Sequence, residues 1–174
     1  MLQQMYQSCG KIMWLWSNST LHKSWPVALQ TRFVLPPVLQ NQFTILERDG
    51  VPRAYCSWAW LNLETETKFI LDPNSLEPED WSCGDRLWFI DCICPFAASD
   101  TRALRLRMAE KFPREVARAL RVKPKQKNAR IATFSGKDIN REESHRIRKR
   151  LYAELVESLA DHPQRTKDFS IREF

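Results

Sequence analysis

Glycine is scarce in this sequence, with four residues in 174, and long apolar runs are missing. Loops that wrap phosphate groups depend on glycine, and the chain contains no GxGxxG, P-loop or HExxH pattern. This absence argues against a nucleotide-fuelled enzyme. The longest apolar runs, such as IMWLW, fall far below the roughly 20 residues that cross a bilayer, so no membrane span is predicted.

The amino-terminal segment and the cysteines bear on the compartment. The segment MLQQMYQSCGKIMWLW lacks the basic start and the clean apolar stretch of a signal peptide, so we expect a cytoplasmic protein. The five cysteines form an odd set without a CxxC pair, which suggests neither a zinc site nor a disulfide framework. We expect reduced, mostly buried thiols. They are Cys9, Cys56, Cys83, Cys92 and Cys94.

The net charge is +6, but acidic and basic residues are concentrated in different parts of the chain. The stretch Glu64–Asp91 has eight acidic and two basic residues, a balance of −6, whereas Arg102–Arg130 has eleven basic and two acidic residues, a balance of +9. The basic block is either a solvated face or a docking surface for an acidic protein or a nucleic acid. Composition alone does not decide between these alternatives.

The spacing of apolar residues predicts helices and strands in mixed order. The helices are Leu2–Ser17, a helix from Ser24 that stops before Pro36-Pro37, Arg102–Phe112 and Asn140–Leu159. The strands are QFTILER, VPRAYCSWAWL after an Asp49-Gly50 hairpin, Glu66–Leu71, RLWFIDCIC, ARALRVK and ARIATFSG. We therefore expect an α+β fold, in one domain over residues 1–162 with a tail over 163–174, built on a central mixed β-sheet flanked by helices. The crossover from Arg86 to Lys123 would make its two strands parallel.

His22 is one of three histidines and lies in NSTLHKSWP, a polar segment before a predicted helix. An imidazole titrates near neutral pH, which suits general acid-base catalysis. The alternative is a surface or capping histidine that is hydrogen-bonded to its own turn. His145 and His162 lie in or just after the charged carboxyl-terminal helix and are predicted to be structural.

Asp91 lies inside the apolar run WFIDCICPF. A carboxylate in a central strand costs several kcal/mol to desolvate unless it is paired or protonated. It is therefore either a structural acceptor or a functional acid, and beside His22 it would fix the tautomer of the imidazole. The hydroxyl of Ser19 or of Ser57 could polarise a carbonyl or hold the histidine, although no GxSxG pattern surrounds either serine.

Three long segments resemble the toxin-activating lysine acyltransferases that are encoded beside RTX toxins in Gram-negative bacteria. The segments are MWLWSNSTLHKSWPV, LPPVLQNQFTILERDGVPRAYCSWA and EDWSCGDRLWFIDCICPF. The likeness runs from about Gly10 to Leu159 and includes FPREVARALRV and ARIATFSGKDI. Tryptophan is rare in proteins, so a chance match of such tryptophan-rich motifs is improbable.

The resemblance implies an enzyme that takes a fatty acyl group from acyl carrier protein and forms an amide on internal lysines of an RTX protoxin. The reaction would activate the toxin for cytolysis, including haemolysis. The acyl donor would be the phosphopantetheine thioester of the carrier, with no bound cofactor and no metal. The implied fold is similar to that of the Gcn5-related N-acetyltransferases, in which the acyl-pantetheine lies between two parallel strands that splay apart. A homodimer is implied as well.

The site residues follow from the same resemblance. The essential histidine and aspartate of the family fall on His22 and Asp91, the serine before the histidine falls on Ser19, and Tyr55 and Ser57 match a segment near the site. The chain differs from the usual family pattern at Cys92, Cys94 and Ala97, and it has Ser-Thr where Ser-Pro is usual before Leu-His. These differences flank the site without removing it.

The resulting hypothesis is that His22, held by Asp91, accepts a proton from the attacking lysine, or that His22 or Ser19 carries the acyl group transiently. The residues predicted to dock the acidic carrier protein are Arg118, Arg121 and Lys123. One rival is a Gcn5-like acetyltransferase that uses acetyl-CoA, but the Arg/Gln-x-x-Gly-x-Gly/Ala loop is missing. The other is a basic module that binds nucleic acid, a partner we do not expect. Neither rival explains an aspartate inside an apolar strand.

Overall fold

Helix α1 (Leu2–Asn18) opens the computed structural model, which describes residues 2–121, 130–160 and 162. The helix predicted over Leu2–Ser17 is confirmed, and its buried residues, Ile12, Leu15 and Trp16, follow helical spacing. The side chains of Ser17 and Asn18 each donate a hydrogen bond of 2.8 Å to the carbonyl oxygen of Trp14. These side-chain bonds add donors to a carbonyl in the last turn of the helix, and a turn follows.

Three short helical pieces replace the single helix predicted from Ser24. They are a 3₁₀ turn (Val27–Leu29), α2 (Gln30–Phe33) and α3 (Leu35–Leu39). The prediction that Pro36-Pro37 ends helical structure is only half right, because the pair also lies in the first turn of α3. Proline is tolerated there because the missing amide would have no partner within the helix.

The predicted hairpin is confirmed. Strand β1 (Phe43–Arg48) pairs antiparallel with β2 (Val51–Leu61). Asp49 and Gly50 join them with positive φ angles of 52° and 76°, as a tight two-residue turn requires. Tyr55 lies opposite Ile45 and Ser57 lies opposite Phe43, so the side chains of Tyr55 and Ser57 share one face of the strand.

The predicted strand at Glu66–Leu71 is wrong, because these residues belong to helix α4 (Leu63–Leu71). The side chain of Asn62 caps this helix by accepting a hydrogen bond of 2.8 Å from the amide of Thr65. Glu64 and Glu66 lie in its first turn, where negative charge is favourable. The run of threonine, phenylalanine and isoleucine was typical of a strand, but the cap and the first-turn acids determine the helix.

The remaining elements follow the predicted order. They are β3 (Arg86–Ile93), α5 (Ala98–Lys111), β4 (Val116–Arg121), β5 (Arg130–Ser135) and α6 (Arg141–Ala160). The strands form one five-stranded mixed sheet in the order β1-β2-β3-β4-β5, so β3 is central, as predicted. The α+β fold with a mixed sheet and flanking helices is confirmed, in agreement with an acetyltransferase-like architecture. The splaying of two parallel strands stays a prediction.

The chain groups into two compact units, neither of them continuous in sequence. The first unit contains residues up to 59 together with 89–108, and the second contains 60–88 together with the described residues from 109 onwards. The core of the first unit is formed by Ile12, Leu15, Trp16, Phe33, Val34, Tyr55 and Ile93. In the second unit Phe69 packs edge-on against Trp88, with ring centroids 5.5 Å apart. Within the described ranges no helix is long and apolar enough to span a membrane.

The expectation that the cysteines are mostly buried is wrong. All five thiols are free, but only Cys56 is buried, whereas Cys92 is exposed and the other three are partly exposed. Cys92 lies near the end of β3, where the outer face of this strand is open to solvent.

Candidate active site

The turn after α1 folds the chain back at Ser19 and His22. The amide of His22 donates to the carbonyl of Ser19 over 3.2 Å, and the amide of Lys23 donates to the same oxygen over 3.0 Å. The amide of Trp25 in turn donates to the carbonyl of His22 over 2.8 Å. This compact turn fixes the position of the imidazole immediately after a helix that is anchored in the core.

His22 and Asp91 meet in the first unit. Nε2 of His22 lies 3.0 Å from Oδ1 of Asp91, and the two residues are only 5% and 8% exposed. A carboxylate that is ionised can only accept hydrogen bonds, so Nε2 carries the hydrogen in this contact. Asp91 therefore fixes the tautomer of His22.

Ser19 completes a chain of three side chains. Its Oγ lies 2.7 Å from Nδ1 of His22. With Nε2 protonated, Nδ1 of the neutral ring accepts the hydroxyl hydrogen of Ser19. Ser19 is partly exposed, whereas His22 and Asp91 are buried, so Ser19 is the member that a substrate reaches first.

Trp16 holds the second oxygen of Asp91. Its indole Nε1 donates to Oδ2 over 3.2 Å, and the ring is 2% exposed. Both carboxylate oxygens thus have donors, which answers how an aspartate is tolerated in an apolar strand. This hydrogen bond was not predicted from the sequence. The available signal was that a buried indole N–H needs a partner.

Aromatic rings enclose the imidazole. The ring centroid of His22 lies 4.5 Å from that of Trp25 and 5.6 Å from that of Trp16. The two tryptophans contact each other edge to face at 5.3 Å. These rings keep water from two sides of the imidazole and so strengthen its interaction with Asp91.

Tyr55 and Ser57 are fully buried on β2. Burial raises the pKa of Tyr55 well above its ordinary value, and the negative charge of Asp91 adds to this effect. The hydroxyl of Ser57 is close enough to lower that pKa in part, but neither hydroxyl makes a hydrogen bond of good geometry within the described part of the chain. Tyr55 thus remains a protonated hydrogen-bond donor close to Asp91.

The three predicted carrier-docking residues have different placements. Arg118 is 4% exposed and its guanidinium pairs with the buried carboxylate of Glu66. Since a buried, paired guanidinium is not a surface group, Arg118 is removed from the docking set. Arg121 is exposed at the end of β4, and Lys123 lies outside the described residues.

No group of three or more histidine, cysteine, aspartate or glutamate side chains suited to a metal ion occurs within residues 2–121, 130–160 and 162. The arrangement of Ser19, His22 and Asp91 instead offers proton transfer at Nδ1 of the imidazole, with a carboxylate behind it. This is chemistry that suits acyl transfer.

Comparison with known proteins gives the family. The model of the RTX toxin acyltransferase family (HlyC) matches residues 1–135. The protein-lysine myristoyltransferase HlyC of Escherichia coli is 44% identical over 161 residues, which cover 92% of this chain and 91% of that protein. The RTX-I toxin-activating lysine-acyltransferase ApxIC of Actinobacillus pleuropneumoniae is 43% identical over 154 residues, covering 88% of each chain. The protein-lysine palmitoyltransferase CyaC of Bordetella bronchiseptica is 41% identical over 154 residues, covering 88% of this chain and 83% of that protein. The chain therefore belongs to the RTX toxin acyltransferase family, and the predicted acyltransferase class is confirmed.

Proposed function

We propose that this protein transfers a fatty acyl group from the thioester of acyl carrier protein to the side-chain amine of lysines in an RTX protoxin, in the cytoplasm. The observation that carries the proposal is the hydrogen-bonded series Ser19–His22–Asp91 in a chain of this family. Relatives are named for myristoyl and palmitoyl transfer to protein lysine, which supports a long acyl chain as the cargo.

The direct mechanism begins with the lysine, whose ammonium form is not a nucleophile. The ammonium first releases one proton to solvent; Nδ1 of His22 then takes a second proton as the neutral amine attacks the thioester carbonyl, and Asp91 stabilises the resulting imidazolium. The carbon–sulfur bond then breaks, and the pantetheine thiolate leaves with the proton that His22 returns. General-base help of this kind contributes roughly 10²- to 10⁴-fold to the rate. Because the hydroxyl of Ser19 occupies Nδ1, the proton reaches the ring through this hydroxyl or after it moves aside.

The covalent mechanism uses Ser19 itself. His22 would take the hydroxyl proton as Oγ attacks the thioester carbon, and the carbon–sulfur bond would break, so that pantetheine leaves as a thiol with the proton from His22. In a second step the lysine amine would attack the ester and give a proton to His22, which returns it to the Ser19 oxygen as the ester bond breaks. Single-turnover mixing with acyl carrier protein alone distinguishes the two mechanisms. A mass increase of one acyl group on Ser19, lost when protoxin is added, selects the covalent mechanism, and its absence selects direct transfer. In the covalent mechanism Ser19→Ala should lose this mass increase. Its control is Thr20→Ala, which removes an exposed neighbouring hydroxyl and should keep it.

Tyr55 and Ser57 are proposed to donate hydrogen bonds to the thioester oxygen as it gains negative charge. Both hydroxyls are buried, and Tyr55 stays protonated for the reasons of burial and nearby charge given above. A preorganised donor in a water-excluded site stabilises such an oxyanion by several kcal/mol at most, and removing one typically costs about 10²- to 10³-fold in rate.

The docking surface for the acidic carrier is proposed to include helix α5. Its side chains Arg102, Arg105 and Arg107 are exposed, and the helix starts shortly after the strand that carries Asp91. The variant Arg102→Glu/Arg105→Glu should raise KM for the acyl carrier at low salt and leave kcat unchanged, since surface charge mainly affects encounter. Arg146→Glu/Lys149→Glu on α6 makes the same change of charge elsewhere. Equal KM values for the two variants would refute the assignment to α5.

A homodimer also stays a proposal, for which sedimentation equilibrium is the test.

The test of the function is an acyl-transfer assay read by mass spectrometry. Wild-type protein, acyl carrier protein loaded with a myristoyl or palmitoyl chain and an RTX protoxin fragment should give acylated lysine. His22→Ala should abolish the product, whereas His145→Ala, at an exposed histidine, should retain it. Transfer from acetyl-CoA but not from acyl carrier protein would favour the acetyltransferase instead. Transfer that survives His22→Ala would leave the reaction intact and refute the role of His22.

A further inference from the structure

Two thiols face each other across β2 and β3 in the first unit. Sγ of Cys56 lies 3.2 Å from Sγ of Cys92. Side chains alternate along a strand, so these thiols point to the face opposite Tyr55 on β2 and opposite Asp91 on β3. Cys92 is bonded directly to Asp91 through the backbone, and the dithiol is therefore next to the site without being part of it.

The two sulfurs differ in access. Cys92 is exposed, and Cys56 is fully buried. Burial raises the pKa of Cys56 well above its ordinary value, and its contact with Cys92 adds to this. Oxidants therefore meet Cys92 first, and Cys56 is held in contact as the second thiol. This combination of one accessible and one resolving cysteine is typical of thiols that are oxidised reversibly.

We propose that Cys56 and Cys92 form a reversible disulfide when the protein meets a hydroperoxide. The thiol of Cys92 is oxidised to a sulfenic acid, and the hydroperoxide is reduced, releasing water if it is hydrogen peroxide. The sulfur of Cys56 then attacks the sulfur of Cys92, the S–O bond breaks, and the hydroxyl leaves with the proton of Cys56 as a second water. A dithiol reductant restores both thiols by exchange. The co-substrate of this thiol pair is therefore a hydroperoxide.

The consequence for acyl transfer rests on the proposed function. Forming the bond shortens the sulfur separation from 3.2 Å to about 2.05 Å, which displaces β3 beside Asp91 or rotates both side chains. Catalytic geometry must hold to roughly 0.5 Å, and a displacement of about 1 Å can cost as much as 10²-fold in rate. We expect the oxidised protein to lose acyl transfer by at least about ten-fold and to regain it on reduction.

The cross-link itself is tested without any assay of activity. The full chain is treated with hydrogen peroxide, alkylated and digested with trypsin, and the expected product joins AYCSWAWLNLETETK to LWFIDCICPFAASDTR. Because the second peptide contains Cys94 as well, Cys94→Ser must retain the cross-link and Cys92→Ser must abolish it. Cys92 is exposed, so its replacement by serine should not affect folding, and Cys9→Ser is a control at another partly exposed thiol. A cross-link that is absent, that persists in Cys92→Ser, or that dithiothreitol does not reverse would overturn the proposal.

The experiments distinguish a failure of the proposed acyl transfer from a failure of the proposed disulfide. If the reduced protein shows no acyl transfer, the proposed function fails while the peptide map still decides the disulfide. If the disulfide forms but activity and the side-chain nuclear magnetic resonance signals of His22 are both unchanged, the inferred control of the site is refuted. Activity that falls on oxidation in wild type but not in Cys92→Ser supports it.

Discussion

Two of the buried carboxylates, Asp91 in the first compact unit and Glu66 in the second, have different partners. Asp91 receives the imidazole of His22 at 3.0 Å and the indole N–H of Trp16 at 3.2 Å. Glu66, fully buried, receives the indole N–H of Trp88 at 2.6 Å and two guanidinium groups. Each carboxylate therefore accepts a hydrogen bond from a tryptophan. The other partner is an imidazole for Asp91 and a pair of guanidinium groups for Glu66.

The nature of the cation decides what each carboxylate can do. A guanidinium keeps its proton at any pH that a folded protein tolerates, so Arg86 and Arg118 give Glu66 a permanent ion-pair cluster. Arg118 also lies over the ring of Trp88, with its central carbon 4.8 Å from the ring centroid. Asp91 instead contacts an imidazole, a ring that can both donate and accept hydrogen bonds. Burial of a carboxylate alone thus does not mark a catalytic residue.

The largest effect is expected from Asp91→Asn. Asparagine keeps the size of the side chain and can accept the Trp16 hydrogen bond, but it cannot balance a charged imidazolium. We expect kcat/KM for acyl transfer to fall by roughly 10²- to 10⁴-fold, because this variant resembles the loss of the acid in a catalytic triad. Steady-state kinetics together with a urea unfolding curve give the test. Activity within three-fold of wild type would show that Asp91 is as structural as Glu66.

Glu66→Gln should lower the stability of the protein and leave its activity nearly unchanged, the opposite of the effect expected for Asp91→Asn. It leaves two guanidinium groups near a neutral amide, and breaking a buried pair in this way costs about 3–5 kcal/mol in the free energy of unfolding. The rate per folded molecule should stay close to wild type, since Glu66 contacts no catalytic residue proposed above. Glu64→Gln, at an exposed position of the same helix, should change stability by less than about 0.5 kcal/mol. Equal unfolding midpoints for the two variants would contradict the structural role of the cluster.

The sequence predicted the His22–Asp91 pair better than the ion-pair cluster around Glu66. An aspartate in an apolar strand and an isolated histidine are both conspicuous, and the family resemblance joined them. Glu66 lies in an acidic stretch in which only Asp91 was singled out, and its helix was predicted as a strand. Nothing local in sequence shows that Arg118 turns inward, because its burial depends on a carboxylate 52 positions away. Long-range pairing of charges is set by packing, which periodicity does not describe.

The smallest expected effect concerns the hydroxyl of Tyr55 and alkaline stability. Its pKa is raised in the folded state, so above the ordinary tyrosine pKa the unfolded chain loses this proton while the native state keeps it. The free energy of unfolding therefore falls as pH rises, by at most about 1.4 kcal/mol per pH unit from this group. Tyr55→Phe should make the decline in urea midpoint between roughly pH 9.5 and 11 shallower. Tyr6→Phe, at an exposed tyrosine, is the matched control, and identical slopes for Tyr55→Phe and wild type would refute the prediction.

The hydrogen bond from Trp16 to Asp91 joins residues 75 positions apart. During synthesis the ribosome releases the serine, the histidine and the indole long before the aspartate, so the nascent chain carries the base without its counter-charge. A pause in translation before β3 would therefore give a nascent chain that lacks Asp91 and is inactive in acyl transfer. The nuclear magnetic resonance signal of the indole N–H of Trp16 should show when this long-range contact forms during refolding.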